Sequence, residues 1–179
     1  MRLDFSSDSV VVVAGLPGAG KTTLIRRAVD RDAVQVVDTD DLRARRRRFP
    51  PLYAEHYARI VAAVAGRRPV VIHSRGTHAS LRRGIALLAR LRGRPAHLVL
   101  LDAGRAEAVA GQRARGRIIG ATEMARQTAR WRRLMARRPS HEGWSSVTVL
   151  DREQAARTSA ITFRAPARAP DRRIAAATM

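Results

Sequence analysis

Cysteine is absent from all 179 residues, which excludes disulfide frameworks, thiolate metal centres and cysteine nucleophiles. The five histidines are scattered without metal-ligand spacing, so any bound metal is expected to be held by oxygen. No apolar run approaches the roughly 20 residues needed to cross a bilayer. The opening Met1-Arg2-Leu3-Asp4 also lacks the basic-then-apolar pattern of a signal peptide. The expectation is a cytoplasmic protein without a membrane partner. Aromatic residues number only seven, so platforms for stacking bases are few. Lysine is nearly absent: all but one of the 35 basic residues are arginine.

What is present suits one compact domain. A hydrophobic fraction of 45% in a chain of this length can build a sizeable core and rules out a wholly disordered polymer. The formal charge of +20 admits two readings. A basic surface attracts polyanions, but a skew towards arginine and alanine is also what a GC-rich coding sequence produces. A solvated arginine-rich surface and a nucleic-acid footprint therefore both stand.

The single lysine, Lys21, lies in Gly15-Leu16-Pro17-Gly18-Ala19-Gly20-Lys21-Thr22. This run fits the G-x-x-x-x-G-K-[ST] phosphate-binding loop at every fixed position. A β-branched run, Val10 to Val13, enters the loop and a helical stretch beginning near Thr23 leaves it. In such a loop the glycines let backbone amides curl around the phosphates of ATP, and the helix N-terminus adds partial positive charge. Lys21 then reaches the β and γ phosphates, and the Thr22 hydroxyl ligates Mg2+. Gly15, Pro17, Gly18, Ala19, Gly20, Lys21, Thr22 and Thr23 are accordingly the expected nucleotide contacts, with Lys21 also catalytic.

Periodicity gives five short β-like runs, Val10–Ala14, Val34–Asp38, Val70–His73, His97–Leu101 and Val147–Leu150, separated by stretches of helical apolar spacing. Continuous apolar strands suit a sheet buried on both faces. The expected fold is thus a three-layer α/β/α P-loop domain with a five-stranded, mainly parallel sheet and ligands at the carboxyl ends of its strands. Helices are expected over Thr22–Asp30, Tyr53–Ala65, Ala79–Leu91, Arg105–Arg115 and Thr122–Arg137. The domain is expected to span 1–151, and an Arg/Ala/Pro-rich tail 152–179, which is either mobile or laid across the core.

The second run ends in Asp38-Thr39-Asp40-Asp41-Leu42-Arg43, a cluster of carboxylates facing the loop. A carboxylate there can orient an acceptor hydroxyl and take its proton, while Arg43 can grip an anionic part of the acceptor. Asp40 is the residue assigned to chemistry. Asp38 is assigned to the substrate side, near the magnesium environment, and Asp41 to capping the next helix.

With these residues the sequence resembles the P-loop kinases of the polynucleotide 5′-hydroxyl kinase and zeta-toxin type, including AAA-labelled small kinases, from about Val10 to Asp151. The resemblance implies that Asp40 is the general base and Arg43 a contact to an acceptor phosphate. It also implies an arginine lid near 111–121, where Gly111-Gln112-Arg113-Ala114-Arg115-Gly116 is similar to the family's Arg-Asn-x-x-Arg-Gly. Arg115 matches the second lid arginine and is expected to be catalytic. The first is replaced by Gly111, so its contribution falls to Arg113 or Arg117. Such kinases commonly end their third strand in an aspartate, whereas this chain reads Ile72-His73-Ser74. His73 is expected to be a hydrogen-bonded residue at the sheet edge, the alternative being a water contact near magnesium through His73 or Ser74. Asp102 is expected to cap the helix beginning near Arg105. Trp131 and Trp144 are expected in packing.

The arginine run Arg43 to Arg48, followed by Phe49 and Tyr53, suits a phosphate-bearing acceptor. The functional expectation is a phosphotransferase moving the ATP γ-phosphate to a hydroxyl, with a nucleic-acid 5′-hydroxyl, a small metabolite and a nucleotide sugar as acceptor classes. A nucleotide-dependent switch without transfer and a nucleic-acid-binding module are the alternatives.

Overall fold

Four consecutive valines, Val10 to Val13, are fully excluded from solvent in β2 (Val10–Gly15). A strand apolar on both sides must be covered on both sides, and burial of each valine contributes about 1.5–3 kcal/mol. These valines form the centre of a five-stranded sheet in the order β3 (Gln35–Val37), β4 (Val70–Ser74), β2, β5 (Ala96–Asp102), β6 (Ser146–Asp151), with every pairing parallel. The computed structural model describes residues 1–38, 49–116, 118–137 and 139–164, the side chains at 49–53, 140 and 141 excepted. Asp40, Asp41, Arg43, Arg117 and the segment 165–179 lie outside the described residues.

Among the described residues, six helices accompany the sheet: α1 (Lys21–Ala28), α2 (Phe49–Ala65), α3 (Ala79–Leu91), α4 (Arg105–Arg113), α5 (Ala121–Arg137) and the short α6 (Arg152–Arg157). Their buried faces follow helical spacing, as in Met124, Gln127, Thr128, Trp131 and Leu134 of α5. All five strands expected from the sequence are in the sheet, and α3 occupies its expected span. Helix α2 starts four residues before the expected Tyr53. Pro50 and Pro51 fall in its first turn, where a missing N–H breaks no intrahelical bond. No helix among the described residues is long and apolar enough to cross a membrane.

The segment 152–164, read from the sequence as the start of a tail, is folded. Asp151 caps α6 by accepting a bond from Gln154 N at 2.7 Å, and Gln154 Oε1 in turn accepts one from Asp151 N at 3.0 Å. β7 (Ala160–Arg164) then pairs in parallel with β1 (Arg2–Ser6) to form a separate two-stranded sheet. Ile161 is buried, and the Phe5 and Phe163 rings stack at 5.9 Å between centroids. Arg27 of α1 ties this segment to the domain through bonds to Ala155 O (2.6 Å) and Thr158 O (3.1 Å). The partner of β7 lies some 160 residues earlier, and local composition carries no sign of so distant a pairing.

Two buried arginines fix the surroundings of the functional face. Arg94 donates to the carbonyls of Asp8, Ala63, Val64, Gly66, Ser9 and Arg68, and so closes the C-terminus of α2. Arg82 of α3 makes a two-pronged bond to Glu142, at 2.8 Å from Nε and 2.5 Å from Nη2, and also donates to Gly76 O. That bridge anchors the loop leaving β4.

Candidate functional site

The loop leaving β2 and the carboxyl end of β4 line a cavity of about 700 Å³. At its floor, Gly18 and Gly20 have φ of 91° and 92°, the left-handed region in which glycine alone is unstrained. Gly20 precedes α1, so the first amides of that helix face the loop. Lys21 is buried, and its ammonium donates to Gly15 O at 2.8 Å and Leu16 O at 2.9 Å. Thr22 is also buried and lines the cavity, Ala19 is buried in the core, and Thr23 is exposed. The loop therefore has its lysine and hydroxyl gathered at one end of the sheet.

A Mg2+ ion fits this set of donors. Among the described residues no cluster of three His, Cys, Asp or Glu could cage a metal. Magnesium does not need such a cage, because it typically takes one or two protein oxygens, substrate phosphates and several waters. Thr22 is the residue that would hold it, and the bound ion would neutralise charge on the phosphates.

Helix α4 is packed against the loop. A Cβ on Gly18 would overlap Ala108 O, and one on Gly111 would overlap Gly18 O, so α4 and the loop touch backbone to backbone. The glycine at 111 is thus imposed by contact with the loop. Its neighbour Gln112 is buried and joins three parts. Its Nε2 donates to Pro17 O at 2.9 Å and lies 3.4 Å from Met124 Sδ, and its Oε1 accepts from Ile119 N at 2.9 Å. Sequence reasoning placed Gln112 in the lid but gave it no function, since nothing local shows that its amide turns inward. Arg115 lines the cavity and is exposed. Arg113, the other described candidate, instead lies with Arg105, Ala106, Val109 and Ala110 on a second surface of α4.

The structure changes the reading of His73. Strand β4 is interior, between β3 and β2, with Val13 and His73 as register partners. His73 is thus neither at the sheet edge nor alone. Its Nδ1 lies 2.5 Å from Oδ1 of Asp38, which directly follows β3, and Asp38 is almost wholly buried. Asp102 does not cap α4. It accepts a bond from Trp131 Nε1 at 2.8 Å, and Glu107 closes the helix start through Gly104 N at 2.9 Å. Trp131 and Trp144 are both buried, as expected of packing residues.

A family model described as an AAA domain matches residues 10–141. Among solved structures, a gluconokinase from Sinorhizobium meliloti is similar over 84% of this chain and 87% of its own, with 17% identity and a TM-score of 0.60. A structure from the PezAT toxin-antitoxin system of Streptococcus pneumoniae covers 86% of this chain and 71% of its own, with 11% identity and a TM-score of 0.57. Chaetomium thermophilum Kti12 in complex with ADP-AlF3 covers 79% and 88%, with 21% identity and a TM-score of 0.50. These likenesses establish a shared fold. Among curated proteins none matches this chain.

Proposed function

The chain belongs to the AAA-domain family, and from that premise we propose that it is an ATP-dependent, magnesium-requiring phosphotransferase that moves the γ-phosphate to a hydroxyl acceptor. The observation that carries this reading is the placement of buried Lys21 and Thr22 at the floor of a cavity that extends both ways from the loop. Gln112, Arg115, Ile118 and Ile119 line it from the α4 side, where the strand order continues to β5. His56, Tyr57, His73, Ser74 and Arg75 line it from the β3–β4 side. A nucleotide and an acceptor can thus meet over Lys21 from opposite directions, the arrangement an in-line transfer needs.

In this mechanism the loop amides and Lys21 hold the β and γ phosphates, and Thr22 holds the magnesium ion. Arg115, with Arg113 and Arg117 nearby in sequence, offsets charge as the phosphoryl group moves. Asp40 takes the proton from the attacking hydroxyl, while Asp38 and Arg43 serve the acceptor. Bond formation at phosphorus and loss of the hydroxyl proton are then matched by departure of ADP.

A nucleic-acid 5′-hydroxyl is the acceptor suggested by the arginine run beyond Asp40. A small metabolite is the second reading, favoured by the size of the cavity. Cavities of roughly 300–1,000 Å³ enclose single drug-sized ligands, and this one must admit a nucleotide as well as the acceptor.

The test is incubation with Mg2+ and γ-labelled ATP beside 5′-hydroxyl RNA, 5′-hydroxyl DNA and a pool of metabolites. Label on an acceptor, lost in Asp40→Asn while nucleotide binding persists, is the expected result. Label released only as free phosphate, at a rate indifferent to every acceptor, would replace transfer by a nucleotide switch.

A further inference from the structure

The acceptor side of the cavity has a defined chemistry. It is lined by His73, Arg75, His78 and Tyr57, with Arg26 reaching it from α1, and among the described residues no carboxylate lines any part of the cavity. Asp38, the nearest acid in the sheet, is engaged with His73 and almost wholly buried. With Nδ1 turned to Asp38, Nε2 is the ring nitrogen left for a ligand in the cavity that His73 lines. Among the described residues Nδ1 is the only atom of the His73 ring with a hydrogen-bond partner.

Arg75 directly follows Ser74 at the end of the same strand. Among the described residues its ion pair is with Glu123, loose at 3.8 Å, and both side chains are about four-tenths exposed. Such a pair is worth little in water and yields to a better anion. The loop bearing Arg75 is held in place, because Gly76 accepts from buried Arg82 and Ser74 Oγ accepts from Gly76 N at 3.1 Å. An imidazole nitrogen that can bond a hydroxyl and a loosely paired guanidinium for an anion therefore stand two residues apart on a fixed support.

We propose that this side of the cavity is an acceptor subsite for a small hydroxyl-bearing anion, a phosphorylated or carboxylated polyol, with His73 Nε2 hydrogen-bonding a hydroxyl other than the attacking one and Arg75 holding the anionic group. The assignment rests on the phosphotransferase reading and narrows its acceptor. Asp38 acts here as a positioning residue, because it sets the tautomer and the plane of the ring. Among the described lining residues no carboxylate repels the anion, and a neutral polyol offers Arg75 nothing to compete with Glu123.

The experiment reads binding separately from transfer. With Mg2+ and a non-hydrolysable ATP analogue bound, glycerol 3-phosphate, ribose 5-phosphate and glycerate are titrated into the protein while the His73 imidazole is followed by NMR. Glycerol and ribose serve as neutral controls, and a 5′-hydroxyl oligonucleotide as the large competitor. At least one small anion is expected to shift the His73 signals saturably while its neutral parent does not. Arg75→Ala, an exposed change that does not threaten folding, is expected to weaken that anion by about tenfold or more while leaving the nucleotide affinity unchanged. His73→Gln and Asp38→Asn are then compared in transfer to the same anion, where each is expected to raise the acceptor KM.

Absence of a saturable shift with every anion, equal binding of anions and neutral parents, or an oligonucleotide alone perturbing His73 each overturns the subsite. Saturable binding of the anion without label transfer to it overturns the phosphotransferase reading and leaves the subsite standing as a binding site.

Discussion

Gly111 of α4 lies so close to Gly18 of the glycine-rich loop that a Cβ at 111 would overlap the Gly18 carbonyl. Gly111→Ala must therefore move the loop or tilt α4. A cost of about 1–3 kcal/mol is expected, as for overpacking elsewhere, together with weaker nucleotide binding. Gly84 in α3 is the control, since nothing lies within 4 Å of a Cβ placed there. Gly84→Ala is expected to stabilise by roughly 0.5–1 kcal/mol through helix propensity. Urea midpoints and nucleotide titrations decide; equal behaviour of the two variants would mean that the close approach is not real.

Lys21 satisfies loop carbonyls and faces the phosphate site, so its removal acts twice. Lys21→Ala is expected to lower ATP affinity by at least about tenfold, as loss of a charge-assisted bond should. It also leaves Gly15 O and Leu16 O without this donor, so a lower melting temperature is expected in the nucleotide-free protein. A fluorescent-nucleotide titration paired with a thermal melt separates the two effects. Undiminished affinity would remove the loop from the site.

The bridge between Arg82 and Glu142 is buried on both sides, with side-chain exposures of 5% and 10%. Glu142→Ala leaves the guanidinium uncompensated and is expected to cost about 3–5 kcal/mol. Arg82→Met combined with Glu142→Leu is expected to recover much of that loss, because the charge is removed along with its partner. Unfolding in urea gives both values. A single-variant cost below about 1 kcal/mol would show that the bridge is solvated.

His97 gives the fold a pH dependence away from the site. Its Nδ1 meets Ser146 Oγ at 2.8 Å, its Nε2 meets Ser9 Oγ at 3.3 Å, and its ring lies 4.7 Å from Phe5. Burial pushes its pKa below the usual histidine value, with Asp8 opposing in part. The unfolded chain then binds the proton more readily than the folded one. Stability is full above the ordinary histidine pKa near 6.5 and falls as the pH drops below it towards the depressed folded value. His97→Gln is expected to flatten this decline in melting temperature between about pH 7 and pH 5. A decline of unchanged slope would assign it to other groups.

Much of the framework is written locally. The loop at 15–22 is legible because its chemistry requires glycines and a lysine at fixed spacing, and the five core strands because burial on both faces demands unbroken apolar runs. The sequence also placed Arg115 and Gln112 in one element. It could not show that Arg115 lines the cavity while Arg113 does not, since that depends on how α4 is rolled against the loop.

What the chain determined by itself was the order of strands and helices and the kind of ligand the loop takes, because both depend on contacts between residues close in sequence. What only the tertiary structure decided was the company kept by residues far apart. Asp38 and His73 are 35 positions apart and become a pair because β3 and β4 align in parallel register. β1 and β7 become a sheet across almost the whole chain, and Gly111 has to be a glycine because α4 lies on Gly18. Pairings of this sort are selected by packing and register, which leave no periodic trace in the segments they join.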